Sequence, residues 1–559
     1  MKKKYVRWTL WTIASPFILF IILCILIYLP PIQNFLVDKA AVYASEATGM
    51  NISVGRISLS FPLNLVVTDV DAASPHNDTL LSVRRLQVNV QLLPLLKKQV
   101  EVDGISLQGA TVNSNDLIHG MKLNGTLGEL FISSHGVALD PETAIVNKVL
   151  LKDTDLSLCL NDTAAADTAA SDTTYWKIIL QDIDLQNVSF ALDMPLDSLS
   201  LAASLDNAIL RDGLIDLHKS AYSLQTFRIE NGRVRYDNGK PLAADSLSSG
   251  LDPSHIALTD IGVKLDSLYY GGRNMKAIIS QFVLKERSGV EIVSATGRMV
   301  SNDKVLRVPS LKLETRDSYL ELNVAMDWNA LDFKDEGLVS ARLMADIGKP
   351  DVVRFMGSMD EKFIRQYPSE PLRIRTGIDG DLNKLKLTTL TAELPGALGL
   401  FARGELTHLT DSLLRGGDIT LEAETKDLKF VSTLAEGIEI PYGTRLEGKF
   451  TMAGTKMGTD LLLMQPEAQA VVAADTIPIT VYNDSISVAD DFKMERAARL
   501  FAKYDLSRDR YEADLAVNHF DLHQFMPADS LYTLSTRLKV EGEGFDFFSP
   551  RTYFNAEGG

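Results

Sequence analysis

Cysteine is nearly absent: Cys24 and Cys159 are the only two in 559 residues. One pair so placed excludes a disulfide framework and a zinc site built on cysteines. Positive charge is in deficit, with 56 Lys+Arg against 73 Asp+Glu and a net charge of −17. A chain with pI near 5.0 is poorly suited to gripping phosphate backbones, so no nucleic acid partner is expected. Catalytic signatures are missing too. There is no G-x-S-x-G elbow and no phosphate-cradling G-x-x-x-x-G-K-S/T, and glycines gather at turns such as Asp379-Gly380 and Gly542-Glu543-Gly544. The many carboxylates read as a solvated face. No enzyme activity, metal or cofactor is therefore expected. A mean hydropathy of +0.03, with 46% hydrophobic and 23% charged residues, excludes a multi-span membrane protein, a collagen and a disordered tail.

What the sequence does contain begins with residues 1–7, where Lys2, Lys3, Lys4 and Arg7 stand without an acid, as in a cytoplasmic tail. Residues 8–29, Trp8 to Leu29, then run without a single charge. A helix of that length spans about 33 Å, enough for the hydrocarbon core of a bilayer. A signal peptide shares this charge pattern, but its apolar core is shorter and ends in an A-x-A-like site, whereas Pro30-Pro31 follows here. The reading is an uncleaved, single-pass anchor with its N-terminus in the cytoplasm and the bulk of the chain on the far side. In residues 30–49 the apolar positions Ile32, Phe35, Leu36, Ala40, Tyr43, Ala44 and Ala47 fall at helical spacing, and Gly49 suits a stop. That segment reads as an amphipathic helix or linker, packed on the next domain or lying at a membrane surface.

From residue 50 the period becomes two. Leu320, Leu322, Val324, Met326 and Trp328 alternate with Glu321, Asn323, Ala325 and Asp327, and Ile419, Leu421 and Ala423 alternate with Thr420, Glu422 and Glu424. Leu385 with Leu387 and Ile477, Ile479 and Val481 do the same. One apolar and one wet face is the signature of antiparallel strands with a single buried side. Helical spacing is confined to Val352–Gln366 and a weaker stretch at Lys493–Ala502.

The alternation also repeats. Ile105, Leu107, Ala110 and Val112 stand at offsets 0, 2, 5 and 7. The same offsets recur at Val149, Leu151, Thr154 and Leu156, at Ile183, Leu185, Val188 and Phe190, and at Phe227, Ile229, Gly232 and Val234. Recurrent units of this kind imply stacked supersecondary pieces rather than one compact core, and the gap of three suits a turn or bulge that re-aims the strand. Residues 50–240 read as one set of β repeats and 241–559 as further repeats; residues 161–174, NDTAAADTAASDTT, read as a disordered, solvated loop.

Two smaller patterns complete the reading. His519 and His523 stand four apart in HFDLH, but the flanking alternation is that of a strand, which argues against a metal pair. Asp followed by Ser or Thr recurs, putting hydroxyls at Thr79, Thr163, Thr168, Thr173, Ser198, Ser246, Ser267, Ser412, Thr476, Ser485 and Ser530. Such pairs are ordinary turn chemistry. These triplets also resemble the O-glycosylation sequon of Bacteroidota, which acts on proteins outside the cytoplasm.

The anchor, the helix after it, VGRISLSFPLNLVVTDVDA and LLSVRRLQVNVQLLPLLKKQVEVDGISLQGATV together resemble the start of the AsmA/TamB family. The likeness is specific over residues 1 to 120 and general beyond. It implies a mainly β fold: a transmembrane helix followed by an elongated, curled, repeating β-sheet, a taco-like groove, with few short helices. It also implies an inner-membrane anchor, a periplasmic body and an apolar face that carries phospholipid towards the outer membrane. Family members are usually longer and end in a tail domain that meets an outer-membrane barrel. This sequence ends at Asn555–Gly559 after the strand-like Leu534–Val540 and shows no such tail, which leaves a partner barrel of the Omp85 type an open expectation.

A sheet apolar on one side must bury that side or hold something greasy on it. Roughly 25 strands at about 4.8 Å would give a groove on the order of 120 Å long. Leu320, Leu322, Val324, Met326, Trp328, Ile419 and Leu421 are the candidate lining residues. The alternation is equally that of the dry core of a closed sandwich. Two functions follow: a lipid bridge working along the groove, or a scaffold that offers sheet edges to outer-membrane β-barrel or secreted proteins.

Overall fold

A computed structural model describes residues 50–60, 64–74, 79–90, 102–114, 121–138, 142–160, 175–240, 250–334, 336–356, 360–434, 437–466, 496–528, 530–545 and 552–559, with 41, 42 and 45 before them. The anchor at 8–29, most of the helix at 30–49, the loop at 161–174 and the alternation at 477–481 lie outside the described residues. The described chain is mainly β with few short helices, as the alternation predicts. It divides into two compact units, residues 1–244 with 252–291 and residues 245–251 with 292–559.

The first unit contains β1 (Asn51–Ser60), β2 (Asn64–Ala73), β3 (Thr79–Val90), β4 (Val102–Asn113), β5 (Met121–Ala138) and β6 (Thr143–Leu160). It continues with β7 (Lys177–Met194), β8 (Leu199–Asp216), β9 (Ala221–Leu224), β10 (Thr226–Asp237), β11 (His255–Gly271) and β12 (Asn274–Glu286). The boundary expected at 240/241 thus falls between β10 and β11, inside this unit. Neighbours pair in chain order, and β9 and β10 together fill the place between β8 and β11. All these pairs are antiparallel except β6 with β7, which run parallel over their full length. Antiparallel hairpins were the expectation throughout. Parallel neighbours need a connection of a dozen or more residues, and the stretch between Leu160 and Lys177 is long enough to supply one.

The repeat has a backbone cause. Four places after each of the four starts stand Gly109, Asp153, Asn187 and Asn231, with φ of 62°, 50°, 50° and 55°. In an unbroken strand, positions five apart face opposite sides. One left-handed residue between them shifts the phase, so all four apolar positions share a face. The same device centres on Asp69 in β2 and Asp260 in β11, with φ of 54° and 52°. Gly, Asp and Asn are the residues that take this conformation at least cost. Ladder pairing keeps the positions aligned from strand to strand: Val70 with Val83, Val83 with Ala110, Ala110 with Leu127, Leu127 with Thr154, and Thr154 with Val188. The row beside the correction is the most enclosed, with Val83 at 5% exposure and Thr154 at 3%.

The second unit holds β13 (Glu291–Ser301), β14 (Val305–Thr315), β15 (Tyr319–Asp327), β16 (Val339–Ile347), β17 (Leu372–Gly380), β18 (Lys384–Leu394) and β19 (Leu398–Thr407). After these come β20 (Gly416–Thr425), β21 (Arg445–Ala453), β22 (Lys456–Met464), β23 (Ala497–Asp505), β24 (Arg510–Asp521), β25 (Thr533–Glu543) and β26 (Tyr553–Gly558). Consecutive strands pair antiparallel from β13 to β26. Here the phase is corrected on one strand of a pair. Residues 309–310 of β14, 388–389 of β18 and 518–519 of β24 form bulges opposite unbroken neighbours.

Three expectations are corrected. Trp328 does not extend the Leu320–Met326 strand; it opens the one-turn helix α1 (Trp328–Leu331), because Asp327 ends the pairing and Trp328 donates its Nε1 proton to the Asn302 carbonyl at 2.6 Å. Val352–Gln366 is two helices, α2 (Lys349–Met356) and α3 (Glu361–Gln366), with Asp360 capping the second through the Lys362 N–H. Lys493–Ala502 is not a helix where it is described, because Ala498, Leu500 and Ala502 of β23 face Val517, Leu515 and Ala513 of β24. Alanine-rich helix propensity is a weak prior, and pairing on both sides of the strand overrides it.

Asp153 tests the phase correction. Asp153→Gly and Asp153→Val both lose the hydrogen bond from Asn187, made at 2.8 Å, but only valine is strained at φ 50°. The valine variant is expected to be about 2 kcal/mol less stable than the glycine variant in urea unfolding. Equal midpoints for the two would sink the account.

Candidate functional site

In the second unit the ladder gathers residues far apart in sequence onto one face. One row runs Leu311, Leu322, Leu343, Thr376, Leu390, Ala402, Leu421, Gly448, Leu461, Leu500, Leu515 and Leu538. The next runs through Val308, Val324, Ala341, Ile378, Leu387, Gly404, Ile419 and Phe450. Leu320 and Met326 start the flanking rows on either side. Four apolar rows therefore run side by side, and Leu322 with Leu421, and Val324 with Ile419, share rows across nearly one hundred residues of sequence. Six of the seven candidate lining residues lie in these rows; Trp328, in α1, does not.

Large side chains on this face stay partly exposed. Leu320, Leu322, Val324, Met326, Ile419 and Leu421 are all half-buried. Phe450 is 43% exposed, Met457 45% and Leu538 38%. Among face residues named in the rows, the small Ala402 is buried at 2%. A dry sandwich core would enclose its leucines and phenylalanines and not its alanines alone. The opposite face is charged and paired across strands: Arg375 to Asp346 at 2.6 Å, Arg499 to Asp460 at 2.6 Å and Arg537 to Asp514 at 2.7 Å.

The two margins of the face differ. Along one, the connections after β16, β18 and β20 fold into a small core in which Phe363, Tyr367, Leu394, Ala397, Leu428 and Phe430 are buried. Phe363, Tyr367 and Phe430 meet with ring centroids 5.2 to 5.6 Å apart. On the same margin α2 is pinned to the β14–β15 turn by Asp351, which is 1% exposed. Its carboxylate accepts hydrogen bonds from Thr315 Oγ1, from Ser318 Oγ at 2.6 Å and from Arg354 Nη1 at 2.9 Å. Arg354 also reaches Asp317 at 2.8 Å. The other margin carries the one-turn α1 and, beside most strands, short turns, and its ladder row contains Met326, Met452, Met457, Tyr504 and Tyr511. Phe545 stacks on Tyr511 at 4.9 Å and lies 5.9 Å from Tyr504, whose hydroxyl bonds the Asp509 carboxylate.

HFDLH resolves into backbone geometry. His519 is a left-handed residue, φ 46°, at the β24 bulge, where Leu515, Val517, Phe520 and Leu522 repeat the 0, 2, 5, 7 spacing. His523 lies in the 3-10 turn Leu522–Gln524 and stacks on Tyr532 at 5.2 Å. Among the described residues no group of His, Cys, Asp and Glu is arranged to hold a metal, and no helix is long and apolar enough to cross a membrane. Of the hydroxyls in Asp-Ser/Thr pairs, Thr79, Ser198, Ser412 and Ser530 are exposed at turns or strand ends. Ser267 departs from the turn reading: it sits within β11, opposite Ile278. Thr163, Thr168, Thr173, Ser246, Thr476 and Ser485 lie outside the described residues. The sequence reading missed the asymmetry of the margins; the aromatic spacing Phe363, Tyr367 and the distant Phe430 carries it.

No protein-family model matches this chain, and no curated protein matches it either.

The Asp351 clasp yields a pH dependence. Burial pushes its carboxyl up, but the hydrogen bonds from Ser318, Thr315 and Arg354 outweigh burial and hold it below the usual carboxylate range. A folded value below the unfolded one gives stability that is full above about pH 4 and lost as pH falls towards the folded value. Asp351→Ala is expected to cost about 3 kcal/mol at neutral pH, since it leaves Arg354 without its buried partner. Asp351→Asn should lose less stability than wild type between neutral pH and pH 3 in urea titrations. Identical acid profiles would show that the clasp does not titrate.

Proposed function

We propose that this protein is a membrane-anchored, periplasmic bridge that carries phospholipid along its apolar face towards the outer membrane. The observation that carries the reading is the set of four mainly apolar rows in the second unit, held in register through successive strands and with large side chains half-exposed. Apolar surface of this extent is unfavourable in water, and acyl chains satisfy it at about 0.8 kcal/mol per buried CH2 without directional bonds. A surface of repeated aliphatic rows has the same chemistry from strand to strand. A lipid can therefore shift by one strand without crossing a different environment, which suits transfer along the face better than storage at one site. The charged, ion-paired opposite face keeps such a sheet in water. The resemblance of residues 1–120 to the AsmA/TamB family supports the anchor, the curled elongated sheet, the envelope location and the direction of the reading. No chemistry and no cofactor enter it.

The test is native lipid content. Full-length protein extracted from its own envelope is expected to carry several phospholipids per chain by mass spectrometry. Val324→Asp and Leu421→Asp, in adjacent rows, place a charge where acyl chains would lie. Both variants are expected to keep their far-ultraviolet circular dichroism and lose bound lipid severalfold. A folded wild-type protein free of lipid would overturn the proposal.

A further inference from the structure

Resting on the lipid reading above, we infer that phospholipid headgroups line one margin of the face in the second unit, the short-turn margin marked by Met457, Tyr504 and Tyr511. Four rows two residues apart cover about 20 Å along the strands. An acyl chain fills about half of a 30 Å hydrocarbon core, or about 15 Å. A chain that enters from one margin is therefore covered before it reaches the other, and a lipid needs only one margin for its headgroup.

The margins then differ in what they offer. Beside β16 to β21, the margin with helices is closed by a packed core: Leu394 is 5% exposed, Ala397 0% and Phe363 2%. Among the described residues no ladder position on the apolar face there is exposed; the exposed ladder residues, Arg373, Glu393 and Arg445, belong to the charged face. Phe355 and Tyr442 are exposed on that side, at 56% and 68%, but they belong to α2 and to the turn before β21 rather than to the ladder rows. Further along the sheet, in β22 and β26, the opposite margin exposes its ladder residues Met457 at 45% and Phe554 at 53%, more than Leu534 of β25 at 37% on the margin with helices. Tyr504 presents its ring to the apolar row and its hydroxyl to Asp509 at the solvent edge. Side chains with an apolar body and a polar tip are those that occupy the boundary between acyl chains and water.

Site-specific photo-crosslinking in the full-length protein tests this. A photoreactive phenylalanine analogue replaces Met457 on the short-turn margin or Leu463 on the margin with helices, three ladder rows away on the same strand. The probes are two phosphatidylethanolamines, one tritiated in the headgroup and one at the chain terminus; adducts are digested with phospholipase to show which part is attached. Headgroup attachment is expected to be at least severalfold higher at Met457, with chain attachment prevailing at Leu463. Equal headgroup attachment at both positions, or an excess at Leu463, would overturn the assignment while leaving lipid binding intact. Adducts at neither position, in a protein with wild-type circular dichroism, would overturn the lipid reading and this inference with it.

Discussion

Side chains on a strand alternate with period two, and everything about this protein depends on keeping that alternation in phase across many strands. A single uncorrected extra residue moves every later apolar side chain to the wet face. The first unit corrects the phase inside the strand with left-handed residues at Asp69, Gly109, Asp153, Asn187, Asn231 and Asp260. The second corrects it with bulges at 309–310, 388–389 and 518–519, each facing a partner that stays regular. In β6, β7 and β8 the spacing is corrected twice, so apolar pairs recur every five residues, as in Ile178, Leu180, Ile183, Leu185, Val188 and Phe190. The parallel pair β6–β7 keeps the rows intact because both strands carry the same spacing in the same direction.

Once phase is held, the apolar face follows with no further instruction. Each strand contributes its few aliphatic residues, and antiparallel registry adds them to rows that no local segment encodes. Stabilisation is therefore distributed: each strand depends on its two neighbours, as in other repeat architectures. The buried aromatic cluster of the second unit lies where α3 and the 3-10 turn Lys429–Thr433 meet around Phe363, Tyr367 and Phe430, and the Asp351 clasp stands on the same margin. These features fix the strand ends on one margin, while the large side chains of the face stay half-exposed among the described residues.

How much of this the sequence reveals can be judged residue by residue. Alternation at Leu320–Met326 and Ile419–Ala423 marks strands with one apolar face, as found in β15 and β20, because period two is a local property. The offsets at Ile105, Val149, Ile183 and Phe227 revealed a kink, and Gly109, Asp153, Asn187 and Asn231 are residue types that tolerate it. Placing Leu322 in the row of Leu421 is out of reach of the sequence, since that depends on the cumulative register of five pairings between them. Trp328 was misplaced because nothing in the alternation signals that pairing stops at Asp327. The alanines of β23 suggested a helix because side-chain entropy is a local preference, whereas the pairing of β23 with β22 and β24 is not.

The half-exposure of the face bears on which function is physically economical. A sheet meant only as a scaffold gains by covering its apolar side, since leucines left in water weaken the fold and invite association. Sequence change readily supplies such a cover: longer amphipathic connections of the kind already present in α2 and α3 would do it. The second unit instead places α2 and α3 at the strand ends of one margin and only the one-turn α1 on the other, and among the described residues its rows keep their large side chains half-exposed. That arrangement leaves apolar area along the face in water, and the lipid reading proposed above puts it to use by filling the face with something that comes and goes. Acyl chains match the demand, because they bury apolar area without requiring a fixed hydrogen-bond pattern and so leave the rows unchanged when they move on.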